Sequence, residues 1–130
     1  MKIGMDRLEF FCDGKIAFTY ILKDDFKNVG ATLGEHEGIV DIGRNIDGVE
    51  ISIFVREDDG WTISLRSSGK YPVNEIAYKF NGGGHFMAAG GKSNSSLEEL
   101  KKHLIDMIYR AFLIKLIILK NIQLLRSFYQ

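Results

Sequence analysis

Residues Phe80 to Gly91, FNGGGHFMAAGG, hold five of the chain's 14 glycines, three of them consecutive and running into His85. Glycine removes the Cβ and admits positive φ. Three together let successive N–H groups point into one concavity, the backbone nest that holds anions. Were Phe86 to Ala89 to begin a helix, its N-terminus would add unpaired donors and a partial positive charge. Gly82, Gly83, Gly84 and His85 could then cradle a phosphate without a lysine, and the small Ala88 and Ala89 would leave a floor low enough for a ribose or a base. The competing reading is a tight turn with a satisfied histidine. Two other phosphate loops are excluded. The Gly-Lys-Ser/Thr ending of a Walker loop is missing, and a dinucleotide fingerprint would follow a strand, whereas a helical pattern precedes these glycines.

An anion cradle gains from a guanidinium, whose planar fork matches phosphate bidentately. Arg66 falls on the polar face of a strand pattern, opposite Trp61, Ile63 and Leu65, with Ser67 next to it. A solvated surface arginine is the plain alternative, and it weighs more heavily on Arg44 in DIGRN. His36 and His103 stand among charged residues and read as exposed side chains. Hydrolysing a phosphate ester takes metal ions held by carboxylates and histidines, or a nucleophile with its base. The three histidines are scattered, and Asp24-Asp25 and Asp58-Asp59 look like turn or helix-start residues. No self-sufficient catalytic centre is expected.

The elements that must position these groups form a mixed pattern. Ile16 to Leu22, IAFTYIL, is apolar on both faces and predicts an interior strand. Asp24 to Leu33 predicts a short helix stopped by Gly30 and Gly34, and Glu37 to Asn45 another short helix or turn. Val49, Ile51, Ile53 and Val55 alternate with polar residues except at Phe54. Asp58-Asp59-Gly60 turns the chain, and Trp61, Ile63 and Leu65 alternate again, a hairpin signature. Pro72 opens a helix with Val73, Ile76, Ala77 and Phe80 on one stripe, ended by Asn81 and Gly82. Ser95 with Glu98, or Ser96 with Glu99, offers a capping box for a long C-terminal helix. The class expected is α+β, a small mixed sheet with a β-hairpin, short helices and a C-terminal helix.

Bulk composition narrows the function further. At 130 residues a single domain with a real core is expected. Lys plus Arg and Asp plus Glu balance at 17 each, so no global basic field draws the chain to nucleic acid, and an anion site must be local. The single cysteine, Cys12, leaves no intrachain disulfide and no multi-cysteine zinc site, and reads as a small apolar residue. The N-terminal residues show no signal-peptide pattern, and a cytoplasmic setting is expected. Ala111 to Leu125 is unusually apolar, but Lys115 and Lys120 interrupt it, short of the roughly 20 apolar residues of a bilayer span. Its apolar residues lie on nearly every side, so an oligomer contact is one explanation and a tail foreign to the domain the other.

Ile76 to Gly91, IAYKFNGGGHFMAAGG, resembles the signature of the DHH-associated C-terminal domain of DHH phosphoesterases, most nearly the nanoRNase/pAp-phosphatase group. Asp13 to Ile21, Glu37 to Glu57 and Ser64 to Ala77 resemble further blocks of that family in order, so the likeness runs from about Leu8 to Tyr109. The resemblance implies a lobe that grips a substrate's phosphates and terminal nucleotide. Gly82, Gly83, Gly84 and His85 would form the cradle, Arg66 with Ser67 would meet phosphate, and Ala88 and Ala89 would line the cleft. Arg44 matches a family position without a stated role. The family's manganese-binding Asp-His-His lobe has no counterpart in these residues. Residues 1–12 are therefore expected to be the remnant of a linker helix, 13–110 the substrate-binding domain and 111–130 an apolar helical tail. The implied function is the substrate-binding lobe of a phosphoesterase for short oligoribonucleotides, pAp or di-adenylates, inactive alone, with the Asp-His-His lobe as partner. The alternative is a non-catalytic RNA- or tRNA-binding module like the related domain of alanyl-tRNA synthetases, and a third reading is a scaffold joined through its tail into a homo-oligomer.

Overall fold

The computed structural model describes residues 2–29 and 33–130, with side chains for residues 3–26, 38 and 40–130. Six strands form one mixed sheet in the order β1-β2-β3-β4-β6-β5, and helices pack on it, an α+β architecture as expected. Strand β2 (Ile16–Ile21) pairs antiparallel with β1 (Glu9–Phe11) and parallel with β3 (Ile51–Glu57). Its flanking strands and covered faces explain why it is buried at every position but Tyr20, and why the hydroxyl of its buried Thr19 donates to Gly4 O. Strand β4 (Trp61–Ser67) returns antiparallel to β3, with Glu57 opposite Trp61 across a turn in which Gly60 takes φ +136°. Strand β6 (Ala88–Ser93) pairs with β4, and the two-residue β5 (Gly83–Gly84) forms the outer edge beside β6.

One face of the sheet carries Ile16, Phe18, Ile51, Ile53, Val55, Trp61, Ile63 and Leu65. It is sealed by Val73, Ile76, Ala77 and Phe80 in and around α4 (Asn74–Tyr78), and by Leu100, Leu104, Ile108 and Phe112 of α5 (Leu97–Tyr129). Each such side chain taken out of water contributes about 1.5–3 kcal/mol before entropy is charged against it. On the other face Ile21 and Phe54 pack on Val40 of α3 (Leu33–Arg44), with Ile3 of α1 (Lys2–Asp6) and Phe26 of α2 (Lys23–Val29) beside them. Phe54 breaks the period-two pattern because β3 is covered on both faces. At the N-terminal end of this layer Arg7 grips Asp25 through two hydrogen bonds, 2.6 and 3.1 Å, and lies over the Tyr20 ring. Over β6 and β5 this second face has no covering helix among the described residues, and Ala88, Gly90 and Lys92 are partly or fully exposed there.

Several local expectations are corrected. Among the described residues up to 12 only Lys2–Asp6 is helical; Glu9–Phe11 is an edge strand that tucks Phe11 against the core. Helix α3 runs through Gly34, which does not stop it, and Gly30 lies outside the described residues. Pro72 precedes α4 instead of opening its first turn. Residues Phe86 and Met87 form the bend of a β-hairpin, not the start of a helix, because the His85 N–H donates to Ala88 O at 2.8 Å and closes β5 onto β6. Helix α5 is capped by Ser96, whose hydroxyl accepts from the Glu99 N–H, and runs 33 residues without a break. At about 1.5 Å per residue it is about 50 Å long, and beyond Phe112 its apolar residues stand in solvent. No helix among the described residues is long and apolar enough to cross a membrane.

Candidate functional site

The uncovered half of the second sheet face is an open groove of about 510 Å³. Its β4 wall is Thr62, Ser64 and Arg66, its β6 floor is Ala88, Gly90 and Lys92, and its rim is Asn81 with Gly82, Gly83 and Gly84. Strand alternation places these side chains together: Arg66 pairs with Ala88, Ser64 with Gly90 and Thr62 with Lys92. Small residues at 88 and 90 hold the floor down between two cationic ends.

The three glycines at the rim are glycine for different reasons. Asn81, at φ +56°, reverses the chain after Phe80, and the Gly82 N–H donates to Ala77 O. A Cβ on Gly82 would overlap the Gly90 carbonyl oxygen, so the backbones there touch. Gly84 sits at φ +146°, a conformation that L side chains rarely adopt, and its Cβ would come within 2.6 Å of Ala89 Cα. Gly83 differs. A Cβ there would meet nothing within 4 Å, and its φ is not in the left-handed range. The fold does not need glycine at 83. Its bareness keeps free the space over the outer edge of the sheet, where Gly83 faces the groove on one side and a second hollow, lined by Asn74, Glu75, Tyr78 and Lys79, on the other.

Arg66 reaches the groove as its strand position predicts, but it is not free. Its Nε donates to Asp41 Oδ1 at 3.0 Å and its Nη1 to Leu65 O at 3.0 Å, while Nη2 makes no hydrogen bond among the described residues. Arg44 Nη2 lies 3.4 Å from the same Asp41 oxygen. Helix α3 delivers Asp41 and Arg44 because it lies close on the sheet: Gly43 rests on Ser52, leaving no room for a Cβ. The three side chains are partly exposed, Arg66 24%, Arg44 27% and Asp41 49%, so the cluster can meet a ligand from solution. Its net charge is one positive.

The remaining expected residues divide. Ala88 lines the groove, whereas Ala89 pairs with Leu65 and its side chain is buried in the core on the opposite face. Ser67 points the other way: its side chain is fully buried, and its hydroxyl accepts from the Gly69 N–H at 3.0 Å. His85 is exposed at the hairpin tip beside Phe86 and Met87, outside the groove wall, with no side-chain hydrogen bond among the described residues. The tip is pinned from behind, the Ser67 N–H donating to Met87 O and the Val73 N–H to Phe86 O, both at 2.9 Å. With no helix at residues 86–89, the donors on this side are backbone amides of the hairpin and not a helix terminus. His103 is exposed and its ring lies 5.1 Å from that of Phe80; the side chain of His36 lies outside the described residues. Among the described residues no three of His, Cys, Asp and Glu gather to hold a metal ion. Residue types and period missed Asp41 and Lys92. Lys92 could have been found by the same alternation as Ala88, while Asp41 is signalled only by its i,i+3 spacing to Arg44.

Comparison with known proteins places this geometry. A family model described as the DHHA1 domain matches residues 13–112. The chain is 37% identical over 92 residues to the bifunctional oligoribonuclease and PAP phosphatase NrnA of Bacillus subtilis, covering 70% of this chain and 29% of that protein. Among solved structures, an exopolyphosphatase-related protein from Bacteroides fragilis superposes with TM-score 0.74 and 33% identity, over 84% of this chain and 32% of that one. The C-Ala domain of alanyl-tRNA synthetase from Aquifex aeolicus matches with TM-score 0.51 at 18% identity, over 75% of this chain and 93% of that domain, a likeness of fold alone. The chain thus spans under a third of the length of the first two relatives.

Proposed function

The chain belongs to the DHHA1 domain family, and from that premise we propose that its groove is the substrate-binding lobe of a DHH-type phosphoesterase, gripping the phosphates of a short oligoribonucleotide, pAp or a di-adenylate. The observation that carries the proposal is Gly83, which has neither a steric nor a conformational reason among the described residues to be glycine. A residue kept bare toward an open groove, between an arginine pair and a lysine, suits a ligand laid against backbone.

The chemistry follows from the groups present. Arg66 Nη2, which makes no hydrogen bond among the described residues, is a donor for phosphate oxygens, together with hairpin amides other than those of Gly82 and His85, which donate to Ala77 O and Ala88 O; the low floor admits a ribose. Ser64 offers a hydroxyl, while that of Thr62 already donates to Asp58, and His85 with Phe86 at the tip offers rings to a base that projects past the rim. These groups orient and neutralise; that is a positioning and anion-stabilising role. Manganese, which the resemblance implies for an Asp-His-His lobe, finds no ligand set among the described residues. Bond breaking is therefore assigned to that second lobe, and the chain alone is expected to bind without turnover.

Calorimetric titration with a di-adenylate, with pAp and with tRNA tests the assignment. Saturable binding of either small ligand, lost in Arg66→Ala, supports it. Binding of tRNA alone would replace it with an RNA-docking module.

A further inference from the structure

Resting on the phosphate-binding reading above, we propose that Asp41 tunes the ligand charge that the groove accepts, cancelling much of the advantage that the double charge of a terminal phosphate monoester would otherwise have over the single charge of a phosphodiester. Two guanidinium groups share one carboxylate oxygen, Arg66 Nε at 3.0 Å and Arg44 Nη2 at 3.4 Å. The cluster keeps one net positive charge, which one diester matches. Asp41 is half exposed, and an ion pair so open to water contributes little to folding. Its place against both arginines is therefore free to serve the ligand.

A phosphate that takes Nη2 of Arg66 lies within a few ångströms of the Asp41 carboxylate, and the repulsion scales with the phosphate's own charge. One extra unit of charge about 4 Å from a carboxylate in water-like surroundings changes affinity roughly fivefold. Lys92, the groove's other cation, pairs with Thr62, four residues along β4 from Arg66. At about 3.3 Å per residue that is roughly 13 Å, beyond the screening length of physiological salt. A second phosphate at that end escapes the Asp41 penalty, so the discrimination belongs to the Arg66 position.

The test compares, at pH 8, a dinucleoside monophosphate with free hydroxyl ends, adenosine 5′-monophosphate, and the methyl ester of that monophosphate, which carries one charge. The wild-type chain should favour the free monophosphate over its methyl ester about fivefold less than Asp41→Asn does. In Asp41→Asn the ratio of dinucleoside to monophosphate affinity should fall about fivefold. A ratio unchanged within twofold, with both affinities rising or both falling, would overturn the charge-setting role and leave the groove assignment standing, with Asp41 reduced to a prop for the arginines. Asp41 is half exposed, and Asp41→Ser, which removes the same charge, gives the same comparison should Asp41→Asn fail to fold. If the wild-type chain binds none of the three, this inference and the groove assignment fall together.

Discussion

Replacing Gly83 by alanine separates a glycine kept for the fold from one kept for a ligand. An alanine Cβ there meets nothing within 4 Å, and the backbone is not left-handed. Gly→Ala at a compatible position reduces unfolded-state entropy, so stability should hold or rise by about 0.4–1 kcal/mol. Gly84→Ala, whose Cβ would lie 2.6 Å from Ala89 Cα at φ +146°, should lose about 1–3 kcal/mol through strain. Binding should run in the opposite order for Gly83. A methyl group over the outer edge of the sheet displaces a phosphate oxygen from its backbone donors, and a hydrogen bond to a charged group is worth about 1.5–3 kcal/mol, or roughly ten- to hundredfold in Kd. Urea unfolding gives the first quantity, and titration with a di-adenylate gives the second. Wild-type affinity in Gly83→Ala would refute the reasoning, as would a stability loss matching that of Gly84→Ala.

Three further outcomes are expected. Asp25, buried beneath Arg7 and also accepting from the Leu22 N–H at 2.6 Å, should cost about 3 kcal/mol when changed to alanine, since its removal strands a partly buried guanidinium; a change below 0.5 kcal/mol in urea unfolding contradicts the tie between the helix layer and the sheet. Burial, with the Asp13 charge adding to it, pushes the Cys12 thiol up. A raised pKa leaves less thiolate at pH 8, so alkylation should be slower than in the urea-unfolded chain, and an equal rate would place the thiol in open solvent. The apolar side of α5 beyond Lys115 includes Ile117, Ile118 and Leu124, exposed by 57%, 52% and 70%, more than a monomer ordinarily shows; light scattering should find concentration-dependent association that disappears when residues 117–130 are removed, and a monomer with the tail intact would end that expectation.

Elements with a strong local period were legible from residue order. The Asp-Asp-Gly hairpin and the Val73-Ile76-Ala77-Phe80 stripe depend on neighbours two to four residues away, and the structure holds them as read. Arg66 was placed on the polar face by alternation, and the same rule, applied one residue further, turns Ser67 into the core; adjacent strand residues cannot share a face. The stretch Phe86 to Ala89 has a helical composition, but Gly83 and Gly84 can lie flat along Gly90 and Ala89, and the tertiary pairing overrides local preference. Asp41 was invisible because its partner on β4 is 25 residues away, and only the packing of α3 through Gly43 brings the two together. Long-range closeness of this kind carries no periodic signal.

The central claim is that ligand phosphate lies against the hairpin amides beside Arg66. Amide and guanidinium NMR shifts recorded during titration of the chain with a di-adenylate measure this most directly. The expected result is a saturable set of shifts at Gly82, Gly83, Gly84, Ala88 and Arg66 Nε, with the α5 tail unmoved. Shifts confined to the hollow between Tyr71, His103 and Ile114, or none at millimolar ligand, would contradict it.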